Sequence, residues 1–327
     1  MDPQAPDSDI RFAHLEAAAR RIARHAHVTP VFRSSSIDAL SGAQLFFKAE
    51  NLQRVGAFKF RGACNAVWSL PDALAACGVV THSSGNHGAA LALAARTRGI
   101  AAHVIVPQGA IRSKVEAIEA YGASVHRCAP NLVAREEAAD AVRRETGAHM
   151  VHPYQDPAVI AGQGTAAMEL IAQAGPLDVL IAPVGGGGLI SGTAIAAAEL
   201  APEAAVIAAE PAGAADTAES LRQGRRIDGF VPDTICDGLR TLVGAINFSI
   251  LQSRGVRVFT VQDETTIRAM RLIWQRLKIV VEPSAAIVLG AVLENPAEFA
   301  GRRVGLILSG GNVDLDALPW LSAAPGA

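Results

Sequence analysis

The chain of 327 residues has little cysteine, no excess of charge and no uninterrupted apolar run of membrane length. Its four cysteines, Cys64, Cys77, Cys128 and Cys236, are scattered with no CxxC pair. That spacing offers neither a zinc motif nor a disulfide framework, so small buried thiols in a reducing compartment are expected. The 29 basic and 31 acidic residues leave a formal net charge of −2. No basic excess is present to hold nucleic acid, and no charge run marks an interaction tail. Residues 179–198 carry no charge and on length alone could span a membrane. Pro183 and the run Gly185 to Gly188 break that stretch into a strand, a loop and a helix start. Asp2, Asp7 and Asp9 precede any apolar run, so no secretory signal is visible and the cytoplasm is the expected location.

What is present suits a large buried core. Half of the residues are hydrophobic and 18% are charged, and the length allows about two packed units. From about residue 77, short apolar runs alternate with helical segments. Strands are predicted over 78–83, 101–107, 124–129 and 149–153, with helices over 86–98, 112–121 and 131–146. A second series places strands at 179–184, 205–211, 257–262 and 303–309, with helices at about 161–174, 188–200, 264–277 and 284–294. This βαβα rhythm predicts an α/β fold of two units, with open, mostly parallel sheets and helices on both faces. Residues 211–244 read as irregular connections. A ligand is expected in the cleft at the carboxyl ends of the strands.

Four segments carry chemistry. In Gly56-Ala57-Phe58-Lys59-Phe60-Arg61-Gly62 a lysine stands between two aromatic rings. Burial disfavours an ammonium, and a neutral amine is a nucleophile suited to a Schiff base with a carbonyl. The plainer alternative is a lysine that snorkels from an apolar patch. The run Gly185-Gly186-Gly187-Gly188 follows a predicted strand and opens a helix, as a phosphate site would. Read alone, Gly186, Gly188 and Ser191, with Glu210 at the end of the next strand, approximate a dinucleotide fingerprint. A nicotinamide-dependent oxidoreductase is therefore the rival from another class, although it leaves Lys59 without a role. Thr81-His82-Ser83-Ser84-Gly85-Asn86-His87-Gly88 is a second strand-to-helix junction, suited to a carboxylate. A simple N-cap would need only one of its polar residues. Ser309-Gly310-Gly311-Asn312 closes the last strand and could face a ligand.

Together with Lys48-Ala49-Glu50-Asn51-Leu52-Gln53, His152-Pro153 and Gly162-Gln163-Gly164-Thr165, these segments resemble the fold-type II pyridoxal-phosphate enzymes. Within that family they are similar to the serine racemase and serine/threonine dehydratase branch, from about Thr29 to Val313. One departure is Ala57, where the family usually has serine. The resemblance implies that Lys59 holds pyridoxal phosphate, Phe58 borders its ring and Asn86 binds the ring hydroxyl. It implies that Gly185, Gly186, Gly187 and Gly188 take the phosphate and that Ser309 faces the pyridine nitrogen. Ser83, Ser84, Asn86, His87 and Arg135 would surround the substrate, with Ser84 as the second acid/base needed for racemisation. Glu210, Ala214 and Asp216 resemble a divalent-cation site, for Mg²⁺ or alternatively Ca²⁺ or Mn²⁺.

The implied activity is α,β-elimination from L-serine, L-threonine or a 3-hydroxyaspartate, giving the 2-oxo acid and ammonia. Racemisation of serine or aspartate is the same-fold alternative, and a non-enzymatic ligand sensor is disfavoured by the intact lysine. The family also implies a homodimer, and a small domain of 77–153 closing on a large domain of 1–76 and 154–327. The chain ends soon after Asn312, which suggests a short enzyme without the regulatory domain of isoleucine-controlled dehydratases. Tyr121 and Lys48 resemble positions near the nucleotide effector site of animal members, and no regulation is assigned from them.

Overall fold

A computed structural model describes residues 10–110 and 112–321; Asp2, Asp7 and Asp9 lie outside the described residues. Among the described residues ten strands form two sheets. In chain order they are β1 (Val31–Phe32), β2 (Gln44–Ala49), β3 (Val79–His82), β4 (Ala102–Pro107) and β5 (Ser124–Cys128). They continue with β6 (His149–Met150), β7 (Val179–Pro183), β8 (Ala205–Pro211), β9 (Arg257–Val261) and β10 (Arg303–Leu308). The larger sheet has the order β1-β2-β10-β7-β8-β9 and the smaller β5-β4-β3-β6. Every pairing is parallel except β1 with β2.

Parallel sheets need cover on both faces, and the apolar runs supply it. Val179 and Ile181 of β7 point into one core with helices Asp263–Leu277 and Pro283–Glu294. Leu180 and Ala182 point into the opposite core with helices Phe12–Ile22, Pro157–Ala174 and Gly188–Leu200. In the smaller sheet, Val79, Val104 and Val106 face helices Lys59–Ser69 and Asn86–Arg98. Val80 and Ile105 face helix Leu132–Thr146. The predicted α/β rhythm is therefore present.

Several elements differ from the sequence expectation. Helix Pro157–Ala174 starts earlier than residue 161, because Asp156 caps it by accepting from the Ala158 N–H at 2.7 Å. The uncharged stretch 179–198 is β7, a glycine loop and most of helix Gly188–Leu200. No helix among the described residues is long and apolar enough to cross a membrane. Residues 211–244 are not wholly irregular, since they contain helix Asp216–Gln223. The region before residue 77 supplies β1, β2 and further helices, among them Phe12–Ile22 and Lys59–Ser69.

Helix Lys59–Ser69 lies between the two sheets. Phe60, Ala63 and Val67 join the core of the smaller sheet. Its other side touches helix Pro157–Ala174 so closely that a Cβ on Gly162 would stand 2.6 Å from the Arg61 carbonyl. The buried Arg61 guanidinium donates to Glu50 at 2.7 and 2.8 Å and to Glu169 at 2.7 and 2.8 Å. Lys48 is fully buried and donates to the Thr29 carbonyl, Glu169 and Gln173. It is therefore spent inside this ionic cluster, not offered to a nucleotide.

Helices Pro157–Ala174 and Gly188–Leu200 meet through a similarly close contact. A Cβ on Gly192 would lie 2.5 Å from the Gly164 nitrogen and 2.7 Å from the Ile160 carbonyl. Backbone cannot swing away as a side chain can. Gly192→Ala is expected to cost about 1–3 kcal/mol by overpacking, read as a lowered urea midpoint. An unchanged midpoint would refute this contact.

Candidate active site

Lys59 is the first residue of the helix between the sheets, and its position is set by the turn before it. The Phe58 N–H donates to the Ser309 carbonyl at 2.9 Å, and the Gly311 N–H donates to the Gly56 carbonyl at 2.9 Å. Gly56 has φ +68, and a Cβ there would also stand 2.6 Å from the Asn312 side chain. The lysine turn and the Ser309 turn are thus pinned together. The Lys59 amine donates to the Pro153 carbonyl at 3.0 Å and lies 5.1 Å from the centre of the Phe58 ring. Burial lowers its pKa to about 8, although the Glu282 carboxylate pulls in the opposite direction. Its place at a helix N-terminus also disfavours the cation.

Pro153 leads into Tyr154, whose ring covers the glycine loop. A Cβ on Gly186 would stand 2.3–2.5 Å from three carbons of that ring. Gly187 has φ +94, and a Cβ there would meet the Asn247 side chain at 2.7 Å. The Asn247 amide donates to the carbonyls of Gly186 at 2.7 Å and Tyr154 at 2.9 Å, and the Ser191 hydroxyl donates to Asn247 at 3.0 Å. The loop's carbonyls are therefore held, while among the described residues no acceptor takes the N–H groups of Gly185 to Gly188. Free donors at the start of helix Gly188–Leu200 form a fitting cradle for a phosphate.

The end of β3 supplies the opposite wall. Ser83, Ser84 and Asn86 are half-buried and His87 is buried. Asn86 donates to Glu282 at 3.0 and 3.2 Å and accepts from Asn312 at 2.8 Å. A cofactor hydroxyl on Asn86 would have to share it with these partners. Neither ring nitrogen of His87 has a hydrogen-bond partner, and burial, then the Lys59 and His152 charges, hold its pKa well below the ordinary value. His152 is held at about 3 by burial, then by His82 and Lys59. Both rings are therefore neutral at physiological pH. Arg135 is close enough to depress His82 and to influence Tyr154, and its buried Nε has no partner. Ser309 is buried, with its hydroxyl 3.4 Å from the Ser284 carbonyl.

Lys59, Asn86, His87 and the Ser309 turn are linked by these contacts, while Tyr154 connects Lys59 to the glycine loop. The remaining predicted residues, Glu210, Ala214 and Asp216, stand behind that loop. Asp216 accepts from the Val243 N–H at 2.7 Å, and the adjacent Gly244 N–H donates to Gly186 at 3.0 Å.

An uncharged-leaning lysine, a phosphate-ready loop and a strand-end serine match one family in particular. Residues 22–310 match the family described as "Pyridoxal-phosphate dependent enzyme". The chain belongs to that family. It is 49% identical over 309 residues to the β-hydroxyaspartate dehydratase of Paracoccus denitrificans (strain Pd 1222), covering 94% of this chain and 98% of that one. It is 44% identical over 324 residues to the serine racemase of Dictyostelium discoideum, covering 97% and 98%. The solved structure of a threonine deaminase from T.th. superposes with a TM-score of 0.88 at 43% identity, covering 93% of this chain and 99% of that one. The fold-type II expectation is borne out, and the nicotinamide reading of the glycine run gives way to the family match.

Sequence reasoning missed Glu282, Tyr154 and the pair Lys114–Asp237, and it quoted Asn312 without assigning it a role. Glu282 follows no recognisable motif, and burial pushes its carboxyl up to about 7, with Asp237 acting in the same sense. Tyr154 sits directly after the quoted His152-Pro153, which was a usable signal. Lys114 and Asp237 form an ion pair between helix Arg112–Ala120 and the segment before Leu239.

The lowered Lys59 pKa has a measurable consequence. Only the neutral amine attacks an aldehyde, and a lowered pKa makes that form dominant above about 8. In cofactor-free protein the rate of pyridoxal-phosphate attachment is expected to rise with pH and level off above about 8. Stopped-flow absorbance would show it, and a rate still climbing near pH ~10, as for an ordinary lysine, would contradict the desolvated site.

Proposed function

We propose that this enzyme removes water from an L-3-hydroxy amino acid and releases the 2-oxo acid and ammonia. Racemisation at the same carbon is the second reading, favoured by a hydroxyl at Ser84. The observation that carries the proposal is the desolvated Lys59 amine at the junction of the two sheets. Pyridoxal phosphate, when bound, supplies the electron sink that makes the α-proton acidic.

Each residue then has a defined task. The N–H groups of Gly185 to Gly188 would hold the phosphate. Ser309 would offer a neutral hydroxyl to the pyridine nitrogen, which forces no full proton onto it. Phe58 would border the ring. Ser83, Ser84, Asn86 and His87 receive the substrate carboxylate at the helix start, and the unpartnered Arg135 Nε offers a charge-assisted contact. The Lys59 amine would take the α-proton as general base, and a pKa of about 8 suits that work near neutral pH. The hydroxyl leaves Cβ as water. A second water then releases ammonia, so the net change is amino acid to oxo acid plus ammonia. Inversion needs an acid on the face opposite Lys59, which is Ser84's part. Among substrates, a 3-hydroxyaspartate is supported by the 49% identity to the Paracoccus dehydratase, and serine and threonine by the other two relatives.

Residues 77–153 form the small domain in this reading and close over the substrate. The Lys114–Asp237 pair and the Asn86–Glu282 hydrogen bonds both cross that boundary and support it. A homodimer, resting on family likeness alone, and a cytoplasmic location complete the proposal.

The proposal includes a divalent cation, Mg²⁺ first and Ca²⁺ or Mn²⁺ otherwise, at Glu210, Asp216 and the Ala214 carbonyl. The residues fit such an ion. Burial pushes Glu210 up to about 8 and Asp216 up to about 6, and Asp216 Oδ1 is buried without a partner. Glu210 already accepts from the N–H groups of Thr217 at 2.8 Å and Ala218 at 2.9 Å, so it caps helix Asp216–Gln223 as well. Among the described residues no three His, Cys, Asp or Glu side chains converge on one ion. The backbone carbonyl and waters would complete the shell.

Two experiments test these assignments. A panel of L- and D-serine, threonine and 3-hydroxyaspartate is assayed for oxo-acid release and for chirality, in wild type and in Ser84→Ala. Lys59→Ala should lose both activities by several orders of magnitude, and Ser84→Ala should lose inversion while retaining elimination of L-substrates. Equal loss of both in Ser84→Ala would remove its face-selective role. For the cation, a chelator should lower Tm and Mg²⁺ restore it, with no such response in Asp216→Asn. A wild-type Tm indifferent to both additions would exclude the site.

A further inference from the structure

A second group of convergent donors lies in the smaller sheet, on strands that carry none of the residues assigned above. His103 stands on β4 and His126 on β5, in neighbouring parallel strands where Ile105 is the direct partner of His126. Residues 103 and 105 share a face of β4, so the imidazoles are diagonal neighbours on one side of the sheet. His103 Nδ1 and His126 Nε2 are hydrogen-bonded to each other at 3.1 Å, one ring donating and the other accepting, with ring centroids 5.3 Å apart and both side chains half-buried.

That separation matches the bite of one transition-metal ion. With a metal–nitrogen bond of about 2.0–2.1 Å, two imidazole nitrogens stand roughly 2.9 Å apart at a right angle and roughly 3.3 Å apart at a tetrahedral angle. The observed 3.1 Å falls between them. We propose that His103 and His126 form a bidentate site for a divalent transition metal of the Zn²⁺, Ni²⁺ or Cu²⁺ class. The ligating atoms are His103 Nδ1 and His126 Nε2. Each neutral ring keeps its proton on the other nitrogen, so loading the ion needs a tautomer shift and no net proton release. Water fills the remaining positions, because no third His, Cys, Asp or Glu side chain among the described residues converges there.

Two features support the geometry. Burial, and then His126, lower the pKa of His103, which keeps that ring neutral at physiological pH as a ligand must be. Glu145, at the exposed end of helix Leu132–Thr146, acts on His103 in the opposite sense and places a negative charge near the incoming cation. The nitrogen donors also separate this site from the oxygen site at Glu210 and Asp216. Imidazole suits Zn²⁺, Cu²⁺ and Ni²⁺, whereas carboxylate, carbonyl and water suit Mg²⁺.

The test uses holoenzyme in saturating Mg²⁺, titrated with Zn²⁺ against a chromophoric chelator. Wild type should bind one Zn²⁺ that His103→Ala and His126→Ala each weaken by about tenfold or more, since even outer-shell changes at metal sites cost that much. Histidine-selective ¹⁵N NMR of the wild type keeps the proposal testable should a variant fold poorly. Zn²⁺ should move Nδ1 of one ring and Nε2 of another. Equal Zn²⁺ affinity in wild type and both variants, or Zn²⁺ that leaves these two nitrogens unmoved, overturns the site.

Discussion

A lysine amine is held at the seam between two sheets with its pKa lowered to about 8, and most of the central architecture serves that shift. Water stabilises an ammonium, so the amine has to be enclosed, and the walls of the enclosure come from distant parts of the chain. Pro153 and the Ser309 turn reach the Phe58-Lys59 turn from two distant segments. The helix that begins with Lys59 would be costly to place there without charge balance beneath it. Arg61, two residues further along, is buried, and a guanidinium does not deprotonate. Glu169 receives both Arg61 and Lys48 and Glu50 receives Arg61, so two cations and two anions neutralise one another. Breaking such a buried pair would strand a charge, which ties the lysine helix to its register on helix Pro157–Ala174.

Around the amine, the same dryness separates the titrating groups. Lys59 is lowered to about 8, Glu282 is raised to about 7 and His152 is lowered to about 3. Environments that drive protonation states apart define which groups exchange protons and which remain neutral. The histidines are the neutral ones, polar surfaces without charge that leave the lysine unpaired. Glu282 is the exception that limits the effect, because its carboxylate, when ionised, favours the ammonium. Its hydrogen bonds to Asn86 join the proton balance of the site to the turn after β3.

The anion cradle is braced from behind. Asp216 holds Val243, the neighbouring Gly244 holds Gly186, and Asn247 fastens Gly186 to Tyr154. A change in the charge of the Asp216 pocket therefore has a short mechanical route to the glycine loop. On the opposite side, Lys114 and Asp237 join the smaller sheet's helices to the larger unit, and both act on Glu282. The contact between the two units and the protonation of Glu282 share the same charges.

Local signals in the sequence determined much of this protein. Alternating apolar runs and helical segments specified two parallel sheets, since each run had to be buried on both faces. Gly185 to Gly188 and the Phe58-Lys59-Phe60 triplet announced a phosphate loop and a reactive amine, because those chemistries demand particular residues at consecutive positions. Tertiary structure decided the rest. Glu282, Lys114 and Asp237 carry no motif, and their roles arise only when residues far apart in sequence meet. The same holds for Lys48, whose burial in an ionic cluster is invisible in its neighbours along the chain, and for Gly186, whose missing side chain makes room for the Tyr154 ring. Desolvation and close packing are properties of enclosed space, and a chain encloses space only after it has folded.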